Sequence, residues 1–253
     1  MKPEIFRSHN TFSGFGQYQI DSRADLSMSN NAIILQEIGD GKFSYSRTSN
    51  DITIKKIIQG SLQTAQIEIV PVLPIHVPSY KTDFFFLRFD ETLFVESGST
   101  MHLDVCIPIE VGVFVLTEGK SSGFDFFSCD PLNSRFGLYG TPEDGKLCKY
   151  GLVSANGGTP QEFTHARFGI EITNELHEST SVGKIVFPAT DHDLHYHNND
   201  VIMDGLHATI KNRVGLHVIE AVQNPMATPR GWRLATRDTE KTDYKFSMER
   251  GFD

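Results

Sequence analysis

Asp191, His192, Asp193, Leu194, His195, Tyr196 and His197 form the densest run of metal-capable side chains in the sequence. Read as a strand, the run projects Asp191, Asp193, His195 and His197 from one face, because successive strand side chains alternate sides. Two imidazoles and two carboxylates on one surface suit zinc, manganese or iron, so a divalent transition metal is the cofactor this tract suggests. One strand seldom closes a site. The competing expectation is the polar, solvent-facing side of an edge strand or loop, since short His-rich tracts are often compositional. His207 and His217 are further donors whose positions the sequence leaves open.

Other candidates are carboxylates and one lysine. Glu110 interrupts the apolar run Ile107–Leu116. A carboxylate there is either paired, tuned for chemistry, or on the exposed face. Alternation favours exposure, placing Glu110 and Gly112 opposite Ile109, Val111 and Val113, with Pro108 suiting a strand start or edge. Tyr139–Lys146 reads as a hairpin-like turn with two glycines, and a loop there would carry Glu143, Asp144 and Lys149 toward a ligand. Glu118-Gly119-Lys120-Ser121 lacks the earlier glycine of a phosphate loop, because Phe114 stands at that position. There is no recognisable Ser/His/Asp order and no cysteine in a reactive context. Catalysis is therefore not the expectation.

The elements that must position these residues are strands. Ala32–Ile38, Phe43–Arg47, Ile52–Ile58, Ile67–Leu73, Phe84–Phe89, His102–Ile107 and Val111–Leu116 are short apolar or β-branched runs bounded by turn residues. Arg167–Thr173, Val182–Phe187, Val201–Ile210 and Val214–Val222 continue the series. Phe168, Ile170 and Ile172 alternate with Arg167, Gly169 and Glu171, the period of two that a half-buried strand requires. No sustained helical stripe occurs; Pro229–Arg237 is the place for a short helix. The prediction is an all-β fold with at most one or two short helices. Its polar, small-residue break at 119–123 divides two sandwich-like modules, 1–118 and 124–253. One large continuous sandwich is the alternative.

Composition narrows the partners. A net charge of −9 over 253 residues argues against general nucleic-acid binding, which depends on Lys and Arg neutralising phosphate. The longest apolar runs fall far short of the roughly 20 residues of a membrane span, and the N-terminus shows no apolar signal core. The three cysteines are widely spaced, without a CxxC pair, as in a reducing compartment. These features predict a soluble cytoplasmic protein without membrane insertion, with a protein partner or homo-oligomer left open.

Phe124–Tyr150 reads FDFFSCDPLNSRFGLYGTPEDGKLCKY, and its core LYGTPEDGKLCKY resembles a central block of the archaeal family called domain of unknown function 432. The likeness extends through PVLPIHVP (Pro71–Pro78), DFFFLRFDETLFVESGS (Asp83–Ser99), IPIEVGVFV (Ile107–Val115), KIVFP (Lys184–Pro188) and KFSMERGF (Lys245–Phe252), in that order. The family is mostly archaeal and uncharacterised, and is sometimes joined to a mechanosensitive channel module. The resemblance thus implies a cytoplasmic accessory or sensing role, and supplies no catalytic residues. HDLHYHNND (His192–Asp200) departs from the tyrosine-rich stretch expected there. A non-enzymatic binding or regulatory module is accordingly the leading expectation, ahead of a metal-dependent protein or a structural subunit of an assembly.

Overall fold

Runs of β-branched and aromatic residues between Gly, Asn and Asp turns become strands throughout the described residues. The computed structural model describes residues 11–12, 14–59, 65–77, 82–117, 120–130, 135–141 and 144–236. The first strands are β1 (Thr11–Phe12), β2 (Gly16–Ile20), β3 (Arg23–Met28), β4 (Asn31–Gly39), β5 (Lys42–Ser49), β6 (Ile52–Gln59) and β7 (Ala65–Val72). Next come β8 (Phe84–Val95), β9 (Thr100–Pro108), β10 (Glu110–Thr117), β11 (Lys120–Phe127), β12 (Phe136–Tyr139) and β13 (Lys146–Val153). The series ends with β14 (His165–Asn174), β15 (Thr180–Pro188), β16 (Leu194–His197), β17 (Asp200–Arg213), β18 (Leu216–Asn224) and β19 (Arg233–Leu234). Asn50 and Asp51, both at positive φ (47° and 67°), make the tight turn between β5 and β6, the primed geometry that matches strand twist.

Four sheets result. β1-β3-β4-β5-β6 lies against β11-β10-β7-β2, and β12-β13-β8-β15 against β19-β16-β17-β14-β9, with β18 beside β17. In the first pair, Tyr45 Oη and Arg47 Nε each donate to Asp125 Oδ2 at 2.7 Å, joining β5 to β11. The Arg47 guanidinium also lies 4.5 Å from the Phe127 ring centre. In the second pair, Phe168 of β14 stacks on Phe187 of β15, centroids 5.5 Å apart. The alternation predicted for β14 is observed: Ala166, Phe168, Ile170 and Ile172 are buried between less buried neighbours.

The connectivity departs from a division at 119–123. The chain builds β1–β7 in the first sandwich, crosses to place β8 and β9 in the second, and returns for β10 and β11 before finishing in the second. Lys120–Gly123 lies inside β11, paired with β10 from Thr117↔Lys120 onward. These four residues are exposed, so the arm of a surface hairpin has the polar, small-residue composition of a linker. The short helix expected at Pro229–Arg237 is also replaced as far as Thr236; Arg237 lies outside the described residues. Trp232 N–H donates to the Pro229 carbonyl in a turn, and β19 follows. Among the described residues the helical turn is 3-10, at Ala189–Asp191, and no helix is long and apolar enough to cross a membrane.

Asp125 tests the contact between the first two sheets. Arg47 and Lys56 both pair with it, and its side chain is almost wholly buried. Removing one partner of a buried ion pair strands the other, a loss of about 3–5 kcal/mol. Asp125→Ala should lower the urea midpoint accordingly, whereas Tyr45→Phe, which deletes one hydrogen bond, should cost only about 1 kcal/mol.

Candidate functional site

β7 and β10 are buried on both faces: Ile67, Glu68, Ile69 and Val70, and likewise Glu110 through Phe114, are all inaccessible or nearly so. Alternation carries no information in such strands. Glu110 is therefore not on an exposed face as expected; it is 0 % exposed. Its Oε1 accepts from Lys149 Nζ at 3.1 Å, and Lys149 is likewise 0 % exposed. Oε2 accepts from the His76 backbone N–H at 2.8 Å. Lys149 Nζ also donates to the Val77 carbonyl at 2.8 Å and lies 5.2 Å from the Phe136 ring centre. His76 Nδ1 sits 2.9 Å from the Leu73 carbonyl. A carbonyl only accepts, so that nitrogen carries a proton. The His76 ring stacks on Phe126 at 4.4 Å. Gly112 makes this packing possible: a Cβ there would come within 2.8 Å of Val72 and 3.3 Å of Phe126.

This constellation bridges the sandwiches. Glu110 belongs to β10 of the first, Lys149 to β13 of the second, and His76 to the segment crossing between them. The sequence grouped Lys149 with Glu143 and Asp144 on one loop. The structure instead puts Lys149 inside a strand and Asp144 on an exposed turn; Glu143 lies outside the described residues.

The histidine tract has a different geometry from a single strand. β15 ends at Pro188, the 3-10 turn holds Asp191, and only Leu194–His197 is strand. His192 and His195 are buried, while Asp191 and His197 are exposed, His197 beside the Trp232 ring at 5.9 Å. The four residues predicted to share one face are thus dispersed by a turn and by burial. Among the described residues no group of three His, Cys, Asp or Glu side chains is arranged to hold a metal ion. His207 contacts Glu171 at 3.4 Å and His217 contacts Glu178 at 3.4 Å, each on the surface.

Asp204 organises the tract, although neither composition nor spacing marks it. The β14–β17 register shifts between Phe168↔Met203 and Ile170↔Leu206, so Asp204 and Gly205 sit in a bulge. A bulge re-aims side chains. Here it also marks the place where β16, paired as far as Met203, gives way to β18, whose last residue Asn224 stands opposite Gly205. The Asp204 carboxylate accepts from Asp193 N–H (2.9 Å), Gln223 Nε2 (2.7 Å) and Met226 N–H (3.0 Å). His192 Nδ1 donates to the Asp204 carbonyl at 3.0 Å. His195 Nε2 stands 3.5 Å from Oδ1. Burial acts to raise the Asp204 pKa, but the donors from Asp193, Met226 and Gln223 outweigh it and hold the carboxyl below its ordinary range.

Beside this network a cleft of about 720 Å³ opens between the two sheets of the second sandwich. Phe187, Leu206, Ala221 and Val222 form its apolar walls; Thr190, Asp191, His192 and Gln223 are its polar groups. The thiols lie elsewhere and are not activated: burial pushes Cys129 up to about 12 and Cys148 to about 11. The family model described as "Protein of unknown function (DUF432)" matches residues 14–249, and the chain belongs to that family. No curated protein and no solved structure matches the chain.

Two outcomes follow from these networks. Lys149→Met should lose about 3–5 kcal/mol by leaving the Glu110 carboxylate buried and unpaired, and adding Glu110→Leu should restore most of it; urea titration of the four-member cycle measures the coupling. For Asp204, the lowered folded pKa means that its stabilisation is fully present above the unfolded value of about 3.9 and is lost as pH falls through the folded value. Asp204→Asn should weaken the protein at neutral pH and flatten the acid limb of stability against pH.

Proposed function

We propose that this member of the DUF432 family is a non-enzymatic binding module whose ligand site is the cleft between the 3-10 turn and β18. One observation carries the reading. The cleft combines apolar walls with a few polar groups on a supported frame, as small-molecule sites do. Its polar floor is held by Asp204: His192 and Gln223 both bond to that residue and both line the cleft. Two buried acids, Glu110 and Asp125, are engaged in support, on Lys149 and Arg47. Binding that alters the spacing of β15 and β18 would report to the sheet pair, which suits a regulatory role. The three free thiols support a reducing, cytoplasmic setting.

Thermal denaturation against a panel of nucleotides, sugars, small organic acids, zinc and manganese tests this. A ligand at one hundred times its Kd adds about 2.7 kcal/mol, a rise of about 5–10 °C for a protein of this size. Val222→Trp, at an exposed position on the cleft wall, should abolish that rise while the circular dichroism spectrum is kept. No shift with any organic compound, a shift with a metal alone, or a shift that survives Val222→Trp would each count against the reading.

A further inference from the structure

Every sheet has two edges, and an edge strand offers unpaired N–H and C=O groups to any other strand. Most edges in this fold are defended. β6 carries Lys55 and Lys56. β15 carries Lys184, a register shift and a terminal Pro188. β11 opens on Lys120 and bulges opposite Val113 and Phe114. The segment at Gly157–Gly158 covers β9, with Cys106 Sγ donating to the Gly158 carbonyl at 3.3 Å. β1, β2, β12 and β19 are five residues or shorter.

β18 has none of these devices. It is nine residues long, contains no Lys, Arg or Pro, and pairs with β17 in unbroken register from Gly205↔Asn224 to Arg213↔Leu216. Among the described residues no strand pairs with its outer side. Leu216 (69 %), Val222 (64 %) and Ile219 (38 %) are exposed along it. Its one carboxylate, Glu220, is already engaged by Lys211 and Arg213 of β17.

We propose that β18 pairs antiparallel with β18 of a second copy of this chain, about a twofold axis through Ile219. The pattern of side chains selects both the partner and the register. Two antiparallel copies keep their faces only if residues of equal parity oppose each other. A twofold at Ile219 sets Leu216 opposite Val222 of the second copy, and Val222 opposite Leu216, so the exposed apolar side chains cover one another. A twofold at Glu220 would oppose two carboxylates, which is destabilising, and one at Val218 would shorten the ladder. The dimer joins the β14–β17–β18 sheets of two copies into one continuous sheet, an isologous interface of the commonest symmetry. It uses the outer side of β18, including the cleft residue Val222; a ligand shift is therefore read in monomeric Ile219→Lys, which keeps every cleft residue, so the two proposals fail separately.

Sedimentation and light scattering should give twice the monomer mass. Ile219→Lys, which sets two ammonium groups face to face on the axis, should halve the mass while the circular dichroism spectrum is kept. Ile219→Cys should form an interchain disulfide under mild oxidation, which Ile57→Cys on the lysine-bearing edge should not. A wild-type protein that stays monomeric over its whole soluble range would overturn the proposal. So would a folded Ile219→Lys variant that remains dimeric, or an Ile219→Cys variant that does not cross-link.

Discussion

Glu110 and Lys149 lie in different sandwiches, and neither reaches solvent. Two charges in that setting are each costly to desolvate by several kcal/mol, and their attraction repays this only when the remaining donors and acceptors are also met. That condition holds here. The carboxylate takes one donor from Lys149 and one from the His76 backbone, and the ammonium also reaches the Val77 carbonyl. All three partners are fixed relative to one another only if the two sandwiches and the segment crossing between them are docked. A purely apolar junction would tolerate sliding; a buried ion pair with directional hydrogen bonds does not, so it specifies one relative placement of the sheets.

The order of strands along the chain gives this junction its leverage. Because β8 and β9 belong to the second sandwich and β10 and β11 return to the first, the connections cross the interface more than once. Glu110 stands at the start of the returning strand, directly after Pro108 and Ile109. Asp125 then ties β11 to Arg47 and Tyr45 on the facing sheet, and Asp204 ties β17 to β18 and to the segment that precedes β16. Ionised groups that look available for chemistry in the sequence thus hold the sheets together. Among the described residues, the cleft beside β18 and the outer edge of that strand are left open.

How much of this could be read in the sequence depends on how each strand is buried. β14 has one face inward, so Phe168, Ile170 and Ile172 announced themselves by alternation, and the all-β class followed from many such runs. β10 has both faces inward, and the same rule misplaced Glu110, since parity cannot tell a second interior from solvent. Lys120–Gly123 was misread because an exposed hairpin arm and a linker select the same residue types. The family blocks around Phe124–Tyr150 were legible as a resemblance before any geometry was known, and the family is confirmed over residues 14–249. The histidine tract failed for a different reason. Its geometry is decided by Asp204 and Gln223, and the bulge that aims Asp204 leaves no mark in composition.

The claim at the centre of this account is that the Glu110–Lys149 bridge makes the two sandwiches one cooperative unit. Native-state hydrogen exchange measures it directly, by comparing amides of β4 and β5 with amides of β14 and β17 in the wild-type protein and in Lys149→Met. The account predicts that both groups open with the same free energy in the wild type and with different free energies in the variant. Separate opening of the two sandwiches in the wild type, or a common opening that persists in the variant, would contradict it.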